Sequence, residues 1–164
     1  YIKLFLFIYV ILFGGVIMNE VDFYYCEHCG NLVAVIQGSN SQLSCCGQPM
    51  KKLVAGAVEA AKEKHIPEVI NKDGDLIVTV GSVEHPMVDE HFIQWITLVS
   101  GNRIETHKLF AGQAPKTIFK GADSGTVYAY CNLHGLWKKE FGTKTVETVL
   151  GGCSPEFGGC KLEG

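Results

Sequence analysis

Nine side chains, in two separate groups, have the types and spacings that hold metal ions. Cys26 and Cys29 form a C-x2-C loop, and Cys45 and Cys46 follow after fifteen intervening residues. Four thiolates can close a tetrahedral site round zinc or iron. Adjacent cysteines are unusual partners in such a site. Their Cα atoms stand only ~3.8 Å apart, and an extended pair points to opposite faces. Both reach one ion only if the chain turns there, a freedom that Gly47 offers. A pair so constrained should widen its S–metal–S angle and distort the tetrahedron. Four cysteines within 21 residues favour a metal over two disulfides. Spacing alone leaves iron and zinc open. His28, inside the loop, reads as a solvated side chain.

The second group is His65, His85, His91, Cys131 and His134. Taken singly, each histidine reads more readily as a surface or satisfied core residue than as a ligand. As a set they weigh differently. Cys131 and His134 form a C-x2-H on one short loop, with Gly135 permitting close approach, and His85 and His91 flank a turn containing Pro86. Imidazoles suit iron, zinc or copper, and one thiolate among them donates strong electron density. Five protein ligands on an ion that favours six leave one position for chemistry.

These residues need a scaffold. From about Val69 to Phe141 the chain is strand-like: Leu76, Val78 and Val80 alternate with Ile77 and Thr79, and 92–99 is apolar on both faces, as a buried central strand should be. Further candidate strands are 103–110, 116–120 and 125–131, with turn signals at Asp73-Gly74, Gly101-Asn102 and Gly121. Several short strands at this spacing predict an all-β protein built on a sandwich. The cysteine-rich stretch before it, 19–54, is too short to bury a core of its own and needs a metal staple. Between them, AGAVEAAKEKHIP holds one possible helical turn, stopped by Pro67.

The motifs CEHCGN and CCGQPM resemble the desulforedoxin-type module, in which four cysteines hold iron in a distorted site. EKH, HPM, EHFIQWI and YCNLHGLWK, in this order, closely resemble the neelaredoxin or superoxide reductase domain. The similarity covers about 22–141, so the chain resembles the two-iron superoxide reductases called desulfoferrodoxins. That resemblance implies a four-cysteine iron module at 19–54 and an immunoglobulin-like sandwich at 55–142. It also implies a second iron held by His65, His85, His91 and His134 in a square plane, with Cys131 axial. Superoxide would take one electron and two protons there, giving hydrogen peroxide without evolving oxygen. On spacing alone Glu63 and Lys64 are a solvated charged link. The resemblance gives Lys64 the part of attracting the anion and holding a proton-delivering water, and Glu63 that of helping to displace the product. Lys138 and Lys139 would add to a positive collar. A one-electron donor such as rubredoxin and a homodimer are the partners it implies.

The bulk properties are those of an ordinary folded protein. The 164 residues are 47% hydrophobic and 19% charged, and the net charge of −3 lacks the basic stripe of a nucleic-acid binder. Residues 1–17 are nearly all apolar, with Lys3 the one charge. They read as sequence upstream of a natural start at Met18, as part of a signal peptide, or as a membrane anchor. With that segment set aside, the expectation is a cytoplasmic protein without a membrane role. The glycine-rich tail, 143–164, carries Cys153 and Cys160 and has no assigned role. Two rivals remain at this stage: a non-catalytic zinc or iron electron-transfer or binding protein, and a secreted disulfide protein.

Overall fold

The structure, a computed structural model, describes residues 21–36 and 41–142. The apolar leader and the tail with Cys153 and Cys160 lie outside the described residues. Twelve short strands and one helical turn follow in chain order among them. They are β1 (Asp22–Tyr25), β2 (Leu32–Val35), β3 (Ser44–Cys45), β4 (Gln48–Pro49), β5 (Lys51–Lys52), α1 (Lys62–His65), β6 (Pro67–Lys72) and β7 (Asp75–Val80). Then come β8 (Ile93–Ser100), β9 (Arg103–Lys108), β10 (Lys116–Lys120), β11 (Gly125–Cys131) and β12 (Gly135–Phe141).

Seven of these strands make two antiparallel sheets, ordered β10-β7-β6 and β12-β11-β8-β9. This is the layout of an immunoglobulin-like sandwich. β7 turns Leu76, Val78 and Val80 inward at every second position, all fully buried. They meet Ile96, Leu98, Phe119, Val127 and Ala129 from the other strands, which are also fully buried. This core is the hydrophobic payload of the fold.

β8 and β11 are buried on both faces, and the cause lies outside the sandwich. The amino-terminal module, a sheet ordered β2-β1-β5 beside the β3–β4 hairpin, docks on the outer face of the four-stranded sheet. Phe23 of β1 is the anchor. Its ring lies 5.0 Å from Trp95 and 5.2 Å edge-on to Tyr128, within a cluster that includes Val21, Val99, Tyr130 and Leu136. The four-stranded sheet is therefore the middle of three layers. Among the described residues, no helix is long and apolar enough to cross a membrane.

Candidate metal centres

The four cysteines of the module converge. One sulfur from each of Cys26, Cys29, Cys45 and Cys46 lies within 4.8 Å of every other, and all four are free thiols. Cys29 Sγ is 3.6 Å from Cys45 Sγ, which is 3.8 Å from Cys46 Sγ. Disulfide sulfurs would stand ~2.0 Å apart, whereas ligands at ~2.3 Å from one ion leave tetrahedral edges near ~3.8 Å. The spacing fits a metal and excludes the disulfide reading for these four residues.

The adjacent pair reaches one point because the chain turns at Cys46 itself. Cys46 and Gly47 both adopt left-handed backbone, at φ 52° and 73°, closing the β3–β4 hairpin. A left-handed residue other than glycine costs roughly 1–2 kcal/mol, which the metal site must hold in place. In the metal-free module the sulfurs are unlike one another. Backbone N–H groups of Cys29 and then His28 draw the Cys26 thiol down to about 6, while hydrogen bonding with Cys29 and Cys45 pushes Cys46 up to about 12. His28 is exposed, as expected.

The second group gathers at one end of the sandwich. Donor atoms of His65, His85, His91, Cys131 and His134 all lie within 4.8 Å of one another. The four rings form a closed cycle. Neighbouring centroids are 4.7 Å apart for His65–His85, 4.6 Å for His85–His91, 4.8 Å for His91–His134 and 4.6 Å for His65–His134. Neighbouring planes cross at 73–81°, while His65 and His91 face each other across the cycle at 6.1 Å and 26°. That is a square of imidazoles. His65 Nε2 is 2.9 Å from His134 Nδ1, close to the ~3.0 Å between adjacent corners of a square with bonds of ~2.1 Å.

Two of the rings are aimed by their other nitrogen. His65 Nδ1–H donates to Ala61 O at 2.7 Å, and His85 Nδ1–H donates to Pro86 O at 2.6 Å, so both present bare Nε2 lone pairs. Trp137 stacks on His65 at 5.0 Å. The Nε2 atoms of His85 and His91 are buried without a hydrogen-bond partner, a costly state that a bound cation relieves. Cys131 is fully buried, with Sγ 3.6 Å from His134 Nδ1. Burial pushes its thiol up, while backbone N–H groups of His134 and Leu133 oppose that shift.

Cys131 owes its direction to a β-bulge. Tyr130 pairs with Trp95 but Cys131 pairs with Ile93, leaving Gln94 as the extra residue. Asn132, which sequence reasoning did not single out, then clips the Cys131 loop to the His91 segment. Its Oδ1 accepts from Phe92 N–H and its Nδ2 donates to Glu90 O, both at 2.9 Å. Glu63 and Lys64 precede His65 and are exposed. Lys64 lies close enough to oppose protonation of both His65 and His91. Lys138 departs from expectation. The alternation of β12 sends it with Leu136 into the crevice shared with Asp22 of the module, where it pairs with Glu140 at 3.4 Å. That is the face opposite Trp137, the β12 residue that stacks on His65.

Burial holds His85 down to about 4, and it lowers His65 and His91 as well. The charged imidazole is thus disfavoured in the fold. Stability of the metal-free protein is full above the unfolded value near ~6.5 and is lost as pH falls towards 4. Thermal melts of metal-free protein should show this decline, and a His85→Gln variant should show a shallower one. Parallel curves would separate His85 from the effect.

An all-β sandwich carrying a square of imidazoles beside a buried cysteine, joined to a four-cysteine module, defines a two-centre metalloprotein. Residues 18–53 match the family model described as "Desulfoferrodoxin, N-terminal domain", and residues 57–140 match "Desulfoferrodoxin". A desulfoferrodoxin of Clostridium acetobutylicum is 48% identical over 122 residues, covering 74% of this chain and 98% of the relative. A superoxide reductase of Pyrococcus abyssi is 35% identical over 98 residues, covering 48% of this chain and 85% of its own. The crystal structure of the superoxide reductase from Treponema pallidum superposes with a TM-score of 0.61 at 33% identity, covering 73% of this chain and 98% of that one. This chain belongs to the desulfoferrodoxin family. Its two donor groups are those of two iron centres, one of four thiolates and one of four imidazoles with a thiolate.

Proposed function

We propose that the chain is a superoxide reductase, with its chemistry at the five-residue donor set and a separate four-cysteine iron module. The observation that carries this reading is the square of His65, His85, His91 and His134 with buried Cys131 beside it. Family membership and the superoxide reductase relatives support it. Iron bound there supplies the single electron that, with two protons, converts superoxide to hydrogen peroxide without evolving oxygen. The working parts fall at 19–54 for the module and 55–142 for the catalytic sandwich.

The residues divide the remaining labour. His65, His85, His91, His134 and Cys131 would hold the catalytic iron, and Cys26, Cys29, Cys45 and Cys46 the other. Iron held by these five donors would supply a position for the anion. The buried Cys131 thiolate raises the electron density of its site and favours electron donation. Lys64 brings a compact positive charge beside His65, attracting superoxide and holding a proton source. Glu63 assists departure of the product. A one-electron donor such as rubredoxin restores the reduced state, and the working form is a homodimer.

Lys64→Ala is the test. Its second-order rate with superoxide, followed by pulse radiolysis, should fall about tenfold and lose much of its dependence on ionic strength. A wild-type rate removes Lys64 from the mechanism.

A further inference from the structure

The turn that carries Glu63 and Lys64 cannot hold itself. α1 is only four residues long, and Ala61 at its start offers no side-chain cap. Isolated helices of this length are unstable in water, so outside contacts must fix it. Side-chain packing on His65 comes from Trp137 and His134, while the hydrogen bonds to the backbone of Glu63 and Ile66 come from one segment. Val83 N–H donates to Glu63 O at 3.0 Å, Ser82 Oγ donates to the same oxygen at 3.3 Å, and Gly81 N–H donates to Ile66 O at 3.1 Å. Gly81 lies against the Lys64 peptide so closely that a Cβ there would stand 2.7 Å from Lys64 O and 2.4 Å from Val83 O. Its φ of 86° is also a left-handed conformation that disfavours any side chain. Four residues further on, the same segment delivers His85 to the donor set.

We infer that the Gly81–Ser82–Val83 turn is the positioning element for the Glu63–Lys64 pair, with Gly81 the residue whose missing side chain admits the Lys64 backbone. This inference rests on the reading of Lys64 as the anion-attracting charge. One short segment thereby ties a histidine of the donor set to the charged pair, so the distance between them is set by backbone contacts. Flexible side chains play little part in it.

The experiment is a double-mutant cycle on the iron-loaded protein, with amide hydrogen exchange as a second readout. Gly81→Ala should slow the reaction with superoxide about fivefold and flatten its salt dependence. Iron content and the sulfur-to-iron charge-transfer absorption of both centres should stay as in the parent. In a Lys64→Ala background the same substitution should change the rate by less than about twofold, because its effect runs through Lys64. Exchange at the Val83 and Ile66 amides should quicken in Gly81→Ala, with or without metal. If Gly81→Ala does not fold, Ser82→Ala removes one of the two donors to Glu63 O. It should give about a threefold loss with the same non-additivity. Equal loss in both backgrounds, or a slow Lys64→Ala beside an unchanged Gly81→Ala, overturns the positioning role alone. A wild-type rate for Lys64→Ala overturns the charge role and the positioning role with it.

Discussion

Replacing Cys131 with serine should abolish the sulfur-to-iron charge-transfer absorption of the oxidised five-residue centre and cut the rate with superoxide by at least about 100-fold. The side chain is fully buried, and two backbone N–H groups are directed at its sulfur. A serine oxygen there is a harder, poorer donor for the electron density that the reaction needs. It also leaves the N–H groups of Leu133 and His134 facing a shorter side chain. The absorption of the four-cysteine centre should be unaltered, which makes it an internal reference in the same spectrum. Survival of both bands would assign the thiolate of the catalytic centre to another residue.

Cys26→Ala should lose the four-cysteine iron and unfold the module, while the charge-transfer band of the other centre persists. Cys26 is the buried member of its group and the one whose thiol is drawn down to about 6, so it is the first thiolate available to a metal. The module's strands are two to four residues long. Binding free energy on the order of 10 kcal/mol or more in small metal-stapled domains is what keeps such units folded. Iron should drop from two per chain to one. Release of Phe23 from Trp95 and Tyr128 should move tryptophan emission to longer wavelength as Trp95 meets water. Loss of both irons together would show that the two centres are not independent.

The spacings C-x2-C and C-x2-H made Cys26, Cys29, Cys131 and His134 legible as donors, because ligation favours short, rigid loops, whereas His65, His85 and His91 were joined to them by the motif resemblance. Asn132 was not legible, since its role depends on the bulge at Gln94 that sets the Cys131 loop beside His91. No spacing encodes that bulge. Strands 116–120 and 125–131 match expectation, but the candidate strands stop before β12, whose GLWKKEF lacks clean alternation. It is buried unevenly because Leu136 faces the module while Trp137 stacks on His65. The expected apolar double face of 92–99 is real. Its outer half is covered by the module, a long-range partner that periodicity cannot name. The helical turn before Pro67 is shorter than EAAKEK suggests and survives through contacts from residues 81–83.

The middle layer has a consequence for biosynthesis. Phe23 emerges from the ribosome well before the platform that receives it, which needs Tyr128 and Tyr130 of β11 and Leu136 of β12, about a hundred residues further along the chain. At roughly 5–20 residues per second, the nascent thiols wait several seconds for their docking surface. A newborn chain that captures iron early would pass this interval already stapled, and one starved of iron would meet the cell's oxidants with its thiols bare.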